Sequence, residues 1–173
     1  MIRFYISHLR RNWLVYAVLA LIWIVALTRV LADPTPRLPI LFNITPSLPY
    51  RIVAVDYAAK TLRRGDYVVY AFEGEAIRQF PGLHHQPLFK QIAGVAGDVV
   101  TVSGRHVYVN GLEVGYAKTH TVTRMPLQPI SPTVIPAGYF YVAGQSPDSF
   151  DSRYAISGLV AQHQILGRVT PLL

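Results

Sequence analysis

The pattern of apolar and polar positions changes near residue 31, from one long apolar run to several short apolar runs separated by turns. Residues 13–27 carry no charge and follow a basic segment, residues 1–12, which has three arginines and no acidic residue. If Arg29 extends its charge to the lipid interface, residues 13–31 give about 19 residues of helix, close to the length that spans a bilayer. The pattern therefore predicts a single transmembrane anchor over residues 13–31.

The basic residues also predict the orientation of this anchor. Because positively charged flanks stay in the cytoplasm, we expect residues 1–12 to be cytoplasmic and the chain beyond the anchor to lie across the membrane. In a Gram-negative bacterium, this places the anchor in the inner membrane and the remainder in the periplasm. A signal peptide cleaved near Ala32 is the alternative. We favour a retained anchor, since the apolar run is long and Arg29 lies close to the cleavage point.

Residues 32–42 are predicted to link the anchor to a folded domain. Their three prolines favour extended backbone and prevent a helix. Leu31 and Ser47 are 16 residues apart, so at about 3.1 to 3.3 Å per residue they lie at most about 50 Å apart. A site at Ser47 would stay close to the bilayer, and its substrate is expected to be membrane-associated too.

The remainder of the chain, residues 43–173, is predicted to be one antiparallel β domain. It contains short runs of β-branched and aromatic residues that are separated by turn signals such as Asn110-Gly111. These runs cover residues 51–55, 66–72, 88–95, 99–102, 105–109, 138–144 and 165–169. Residues 115–136 are polar, contain prolines and lack this pattern, which indicates an inserted excursion from the sheet. The predicted fold class is thus mainly β, preceded by one helix.

Composition and charge exclude several classes of function. The formal net charge is +7, but the basic residues are scattered instead of forming a stripe with aromatic residues. This disfavours nucleic acid as a partner and favours a lipid bilayer. The chain has no cysteine, which excludes thiol catalysis, disulfides and cysteine metal sites.

Ser47 is the candidate nucleophile. It stands between Pro46 and Pro49, whose fixed backbone angles place the serine on a stiff corner that cannot continue a helix. A turn without chemistry is the commoner meaning of such a string. A serine hydroxyl also needs a neighbouring base to remove its proton, so the base must come from elsewhere in the chain.

Lys90 is the candidate base because it is the one lysine in an otherwise apolar strand. Burial can lower the pKa of a lysine by several units, which makes the amine a base near neutral pH. A lysine at the edge of a sheet, extending into solvent, is the structural alternative. The histidines have no recognisable catalytic context. His84 and His85 would point to opposite faces of an extended segment, which disfavours a shared metal site.

Three motifs in order resemble those of type I signal peptidases. The string that starts at Lys90, KQIAGVAGD, is similar to the lysine motif of that family, Lys-Arg-x-x-Gly-x-Pro-Gly-Asp, with Gln91 and Ala96 as departures. The string GDYVV at residues 65–69 resembles the Gly-Asp strand that precedes it. The string SFDSR at residues 149–153 reproduces Ser-x-Asp-Ser-Arg. The resemblance implies an antiparallel β catalytic domain, a Ser/Lys endopeptidase and no metal or organic cofactor.

The resemblance also implies a role for each site residue. Ser47 would attack the scissile carbonyl and neutral Lys90 would take its proton. The Ser47 backbone N–H and the Thr45 hydroxyl would form the oxyanion hole. Ser149 would orient the amine of Lys90. Asp151 and Arg153, two residues apart on one face of an extended segment, would pair behind it. An exposed ion pair of little energetic value is the alternative for these two.

One departure points to a particular branch of the family. Ser47-Leu48-Pro49 puts proline two residues after the serine, where the general peptidases have Ser-Met-x-Pro. This order is similar to that of the TraF branch, which matures pilin precursors for conjugative transfer. The resemblance then implies a membrane-associated pilin precursor as substrate, with head-to-tail cyclisation of the pilin through the acyl-enzyme as one outcome. A housekeeping signal peptidase and a catalytically silent envelope scaffold are the alternatives, and the sequence leaves the oligomeric state open.

Overall fold

A computed structural model describes residues 8, 10–32, 38–59 and 61–173. The chain forms two compact units, Met1–Pro34 and Thr35–Leu173. Most of the predicted cytoplasmic segment, and residues 33–37 of the predicted linker, lie outside the described residues.

In the first unit, the α-helix α1 covers Trp13–Ala32. Among the residues that the structure describes, no helix is both long and apolar enough to cross a membrane. The transmembrane anchor predicted over residues 13–31 is therefore wrong by this measure. The uncharged stretch of α1 ends before Arg29, and its 16 residues span about 24 Å, short of the roughly 30 Å thickness of the hydrocarbon core.

The second unit consists mainly of β-strands, and every strand pairing within the described residues is antiparallel. The strands are β1 (Ile40–Phe42), β2 (Ile52–Asp56), β3 (Tyr67–Ala71), β4 (Pro87–Gly94), β5 (Val99–Ser103), β6 (His106–Val109), β7 (Leu112–Tyr116), β8 (Thr133–Val134), β9 (Tyr139–Ala143), β10 (Val160–Ala161) and β11 (Ile165–Pro171). Short 3-10 helices cover Glu75–Arg78, Pro81–Leu83 and Gln162–Gln164. This architecture confirms the predicted antiparallel β class.

The strands form two sheets. The larger has the order β1-β2-β11-β3-β4-β9-β10, and the smaller has the order β7-β6-β5-β8. β11, the last strand, lies between β2 and β3, so the sheet is not a simple meander. The β-branched and aromatic runs account for the strands, because their side chains fill the core from alternate positions. Buried members include Val68, Tyr70, Ile92, Val100 and Tyr141.

The predicted excursion has narrower bounds than the sequence indicated. β7 continues to Tyr116 and β8 pairs with β5, which leaves residues 117–132 between them. Arg105 holds this segment to the sheet, since its guanidinium donates hydrogen bonds to the carbonyls of Ala117, Lys118 and Leu127. Near the end of this segment, the N–H of Ile130 donates a hydrogen bond to the carbonyl of Arg153 at 2.9 Å.

Candidate active site

Ser47 lies in a turn between β1 and β2. The next residue, Leu48, is 2 % exposed and anchors the turn in the core, while Ser47 itself is half-buried. The Ser47 carbonyl accepts hydrogen bonds from the N–H groups of Gln145 and Ser146, at 2.8 and 3.2 Å. The corner predicted from the two prolines is therefore held from outside by a second loop.

Lys90 lies on the buried face of β4, opposite Val68 of β3. It is 3 % exposed. The alternative of a lysine at a sheet edge that extends into solvent is therefore wrong. Its Nζ lies 2.7 Å from Ser47 Oγ and 2.9 Å from Ser149 Oγ. The structure thus brings the predicted nucleophile and base into hydrogen-bond contact, although they are 43 residues apart in sequence.

The surroundings of Lys90 favour its neutral form. Burial lowers the pKa of Lys90 from 10.5 to about 8; the negative charge of Asp151 opposes this and the positive charge of Arg153 adds to it. An amine with this pKa is uncharged in roughly one molecule in ten at pH 7, compared with fewer than one in a thousand for an ordinary lysine. Only the uncharged amine can act as a general base and take the proton of the serine.

The loop after β9 forms the wall behind the lysine. Ser149 is buried and its hydroxyl contacts Lys90. Gly144, at the start of the loop, leaves no room for a side chain, since a Cβ there would lie 2.2 Å from Ser149 Oγ and 2.9 Å from the Ser47 carbonyl oxygen. A glycine at this position therefore allows the loop to approach both Ser47 and Ser149.

Asp151 and Arg153 form a buried ion pair. The Asp151 carboxylate accepts from Arg153 Nε at 2.8 Å and Nη2 at 2.9 Å, and also from the Gly144 N–H at 2.8 Å. Nη2 of Arg153 donates to the Gly144 carbonyl as well. The alternative of an exposed ion pair is wrong, because both side chains are buried. The predicted extended segment is also wrong, because these residues lie in a turn. The pair thus fixes the position of Gly144 through both its N–H and its carbonyl.

Thr45, the predicted oxyanion donor, lies in the same turn as Ser47 and is exposed. Its hydroxyl donates to Asn43 Oδ1 at 2.8 Å. The Ser47 N–H, the other predicted donor, has no acceptor among the residues that the structure describes. In this arrangement the Ser47 N–H is free for a ligand, whereas the Thr45 hydroxyl is already hydrogen-bonded.

Within residues 38–59 and 61–173, no histidine is hydrogen-bonded to Ser47 or Lys90. The rings of His84 and His85 stack at 3.8 Å between centroids, and His85 has φ of 58°. The two residues form a turn, so they do not meet the condition of an extended segment under which they would point to opposite faces. His85 and His163 both contact Glu73, at 3.4 and 3.1 Å.

A groove of about 720 Å³ contains Ser47 and Lys90. Its walls are largely apolar, and they include Leu41, Val53, Leu83, Leu88, Phe89 and Phe150. A groove of this size with largely apolar walls is suited to an apolar peptide segment.

Sequence reasoning missed two residues that shape this site. Gly144 directly follows β9, and a glycine at the end of a strand is a weak signal for close backbone approach. Asn43 bonds to both sides of the Ser47 turn. An asparagine two residues before Thr45 is a signal for a side-chain-to-backbone turn.

The chain belongs to the family described as "Signal peptidase, peptidase S26", whose model matches residues 10–173. This family consists of serine endopeptidases, in agreement with the serine and buried lysine at the site. Membership also agrees with the motif resemblance at residues 65–69, 90–98 and 149–153.

Two relatives and one solved structure illustrate this similarity. Signal peptidase I of Leptolyngbya laminosa is 31% identical over 117 residues, which cover 66% of this chain and 54% of that protein. Probable signal peptidase I-2 of Synechocystis sp. is 31% identical over 121 residues, 68% of this chain and 50% of that protein. The chain thus spans about half the length of these relatives. A crystal structure of signal peptidase I from Enterococcus faecalis V583 matches with a TM-score of 0.40 and 22% identity, over 65% of this chain and all of that one.

Proposed function

We propose that this chain is a serine endopeptidase of the signal peptidase I type, in which Ser47 is the nucleophile and Lys90 the general base. The observation that carries the proposal is the 2.7 Å contact between Ser47 Oγ and the Nζ of a buried lysine. A buried lysine is costly to retain unless its neutral form is useful. Its contact with an accessible serine in a peptide-sized groove supports that use.

In the acylation step, the neutral amine of Lys90 accepts the proton of the Ser47 hydroxyl while Oγ attacks the scissile carbonyl carbon. The carbonyl oxygen gains negative charge and accepts a hydrogen bond from the Ser47 N–H. A second donor in the form of the Thr45 hydroxyl requires that its bond to Asn43 be exchanged for one to the oxyanion. The protonated Lys90 then gives its proton to the leaving amine, and an ester to Ser47 remains.

In the second step, Lys90 takes a proton from the water that attacks the ester carbonyl. The bond to Ser47 Oγ then breaks, and Lys90 returns the proton to Oγ as the acid is released. Ser149 keeps the amine aimed at Ser47 in both steps, because its buried hydroxyl contacts Nζ at 2.9 Å. Asp151 and Arg153 act as positioning residues through Gly144, because they hold its N–H and its carbonyl. No step requires a metal or an organic cofactor.

The substrate class that fits this site is a membrane-associated precursor with an apolar segment before the cleavage site. The apolar lining of the groove supports this, as do the names of the two relatives. The family is membrane-associated, and α1 exposes apolar side chains along its length. We extend the proposal to membrane association of the chain, with the catalytic domain on the periplasmic side of a bacterial inner membrane.

Cleavage of a purified precursor by the full chain tests the main proposal. The protein in detergent micelles should release the N-terminal segment of a signal-peptide precursor at one bond, whereas Ser47→Ala should not. The location is tested separately by carbonate extraction of cells and by a reporter fused after Leu173 that is active only outside the cytoplasm. If folded protein leaves the precursor uncut, the endopeptidase proposal is refuted and the catalytically silent scaffold is the reading that stands. If carbonate extraction releases the chain from the membrane, the proposal of membrane association is refuted.

A second candidate function is the maturation of a pilin precursor for conjugative transfer. The order Ser47-Leu48-Pro49, which resembles the TraF branch, favours it. The ester to Ser47 could then be attacked by the N-terminal amine of the same pilin, held close by the membrane, to give a cyclic product. The intact mass of mature pilin from cells with and without Ser47 tests this. A cyclic pilin is one water lighter than the linear form, and a linear pilin removes cyclisation.

A further inference from the structure

Asn43 is the first residue after β1, and its side chain points into the turn that carries Ser47. Its Nδ2 donates to the carbonyls of Leu48 at 3.2 Å and Tyr50 at 2.8 Å. Its Oδ1 accepts from the N–H of Thr45 at 3.1 Å and from the hydroxyl of Thr45 at 2.8 Å. One amide thus contacts the chain on both sides of Ser47.

The chemistry of these four partners fixes the orientation of the amide. Carbonyl oxygens can only accept, so the groups that face Leu48 and Tyr50 must be N–H. A backbone N–H can only donate, so the group that faces Thr45 must be the amide oxygen. A flipped amide would lose the hydrogen bonds to the Leu48 carbonyl, the Tyr50 carbonyl and the Thr45 N–H, and would keep only one to the Thr45 hydroxyl, which can also accept.

The turn needs an outside partner because it contains two prolines. Pro46 and Pro49 have no N–H, so two of the donors that would close a backbone turn are absent. The side chain of Asn43 supplies the missing hydrogen bonds, while Gln145 and Ser146 hold the Ser47 carbonyl from the other loop. Together these contacts restrict Ser47 from both neighbouring segments.

We propose that Asn43 is a positioning residue for catalysis, one that keeps Ser47 Oγ at attacking distance from Lys90 and sets the direction of the Thr45 hydroxyl. This inference rests on the proposed Ser/Lys mechanism. Removal of the amide should let the turn relax, and a displacement of about 1 Å at a nucleophile can reduce the rate by about 100-fold. The effect should fall on the chemical step, because Asn43 acts through the turn.

The test uses the full chain in detergent micelles and a p-nitrophenyl ester of a short peptide, whose nitrophenolate burst reports acylation of Ser47. Asn43→Ala should lower the acylation rate at saturating ester by about 10- to 100-fold, with a much smaller change in half-saturating concentration. Asn43→Asp should be at least as slow, since a carboxylate keeps the acceptor for Thr45 but repels the two carbonyls. Asn43→Gln, which retains both amide groups, should recover part of the rate.

Asn110→Gly is the matched control. Asn110 also uses both ends of its amide, with Val99 N–H and Asp98, but it lies in the turn after β6. Its φ of 50° suits glycine. This variant should lower the melting temperature and leave acylation unchanged.

The outcomes separate the two proposals. No burst from the unaltered chain, or an equal burst from Ser47→Ala, refutes the proposed function. A normal burst from the unaltered chain together with an unchanged rate in folded Asn43→Ala and Asn43→Asp refutes the role of Asn43 alone. An equal loss of acylation in Asn110→Gly would also refute it, because the effect would then follow general stability.

Discussion

The burial of Lys90 should make the stability of the folded protein depend on pH in a way that a Lys90→Met variant lacks. Burial lowers the pKa of Lys90 from 10.5 to about 8. Below pH 8 both the folded and the unfolded chain carry the proton, and the folded state bears the full penalty of about 3 kcal/mol. Between pH 8 and pH 10.5 the unfolded state binds more protons, so stability rises with pH.

The expected size of this effect follows from the same pKa values. From pH 7 to pH 9.5, the free energy of unfolding of the unaltered chain should rise by about 2 kcal/mol relative to Lys90→Met. Methionine also loses the contacts of Lys90 with Ser47 and Ser149, but this loss is the same at every pH. Lys90 is 3 % exposed, so solvent screening reduces the effect little.

Urea denaturation followed by far-UV circular dichroism measures this difference at the two pH values. Tryptophan fluorescence is unsuitable, since both tryptophans lie in α1, outside the β domain. Lys118→Met is the control, because Lys118 is 41% exposed and pairs with Asp148 at the surface. Parallel pH dependence of the unaltered chain and Lys90→Met would refute the lowered pKa and, with it, the argument that Lys90 is a base near neutral pH.

Four further predictions concern activity, measured as precursor cleavage by folded protein. Ser47→Ala and Lys90→Ala should each abolish it, and survival of activity in either variant contradicts the dyad. Two substitutions should leave most of it: His84→Ala and His85→Ala. Thr45→Val should lower the rate by about 10²- to 10³-fold while Thr45→Ser changes little; an unimpaired valine variant would make Thr45 a turn residue only. Gly144→Ala should lower the rate by at least 10-fold and the melting temperature with it, because its Cβ would collide with Ser149 Oγ; normal activity would mean that the loop adapts.

Local patterns in the sequence were sufficient to predict β2 to β6, β9 and β11, but not β1, β7, β8 or β10. Lys90 could be selected because a lysine in an apolar strand shares its face with buried neighbours such as Ile92. The two prolines around Ser47 indicated a rigid corner without any knowledge of the fold. The antiparallel β class followed from the spacing of short apolar runs and turns.

Contacts between distant segments could not be predicted in this way. β11 lies between β2 and β3, and no local pattern specifies that pairing. The approach of Gly144 to Ser47 depends on two loops that are about 100 residues apart in sequence. The orientation of the Asn43 amide depends on a turn conformation that the prolines restrict but do not determine. The anchor prediction counted residues beyond Arg29 in the apolar run, and no helix of the described residues is both long and apolar enough to cross a membrane.

The most direct test of the account is the identification of the acylated residue after incubation with an acylating peptide ester. Intact mass and peptide mapping of the full chain at pH 8 should show one acyl group, located on Ser47, that forms more slowly at pH 6 in line with a base of pKa about 8. Ser47→Ala should remain unmodified and Lys90→Met should be modified only very slowly. An acyl group on another residue, or equal acylation of the Lys90→Met variant, would contradict the Ser47–Lys90 mechanism.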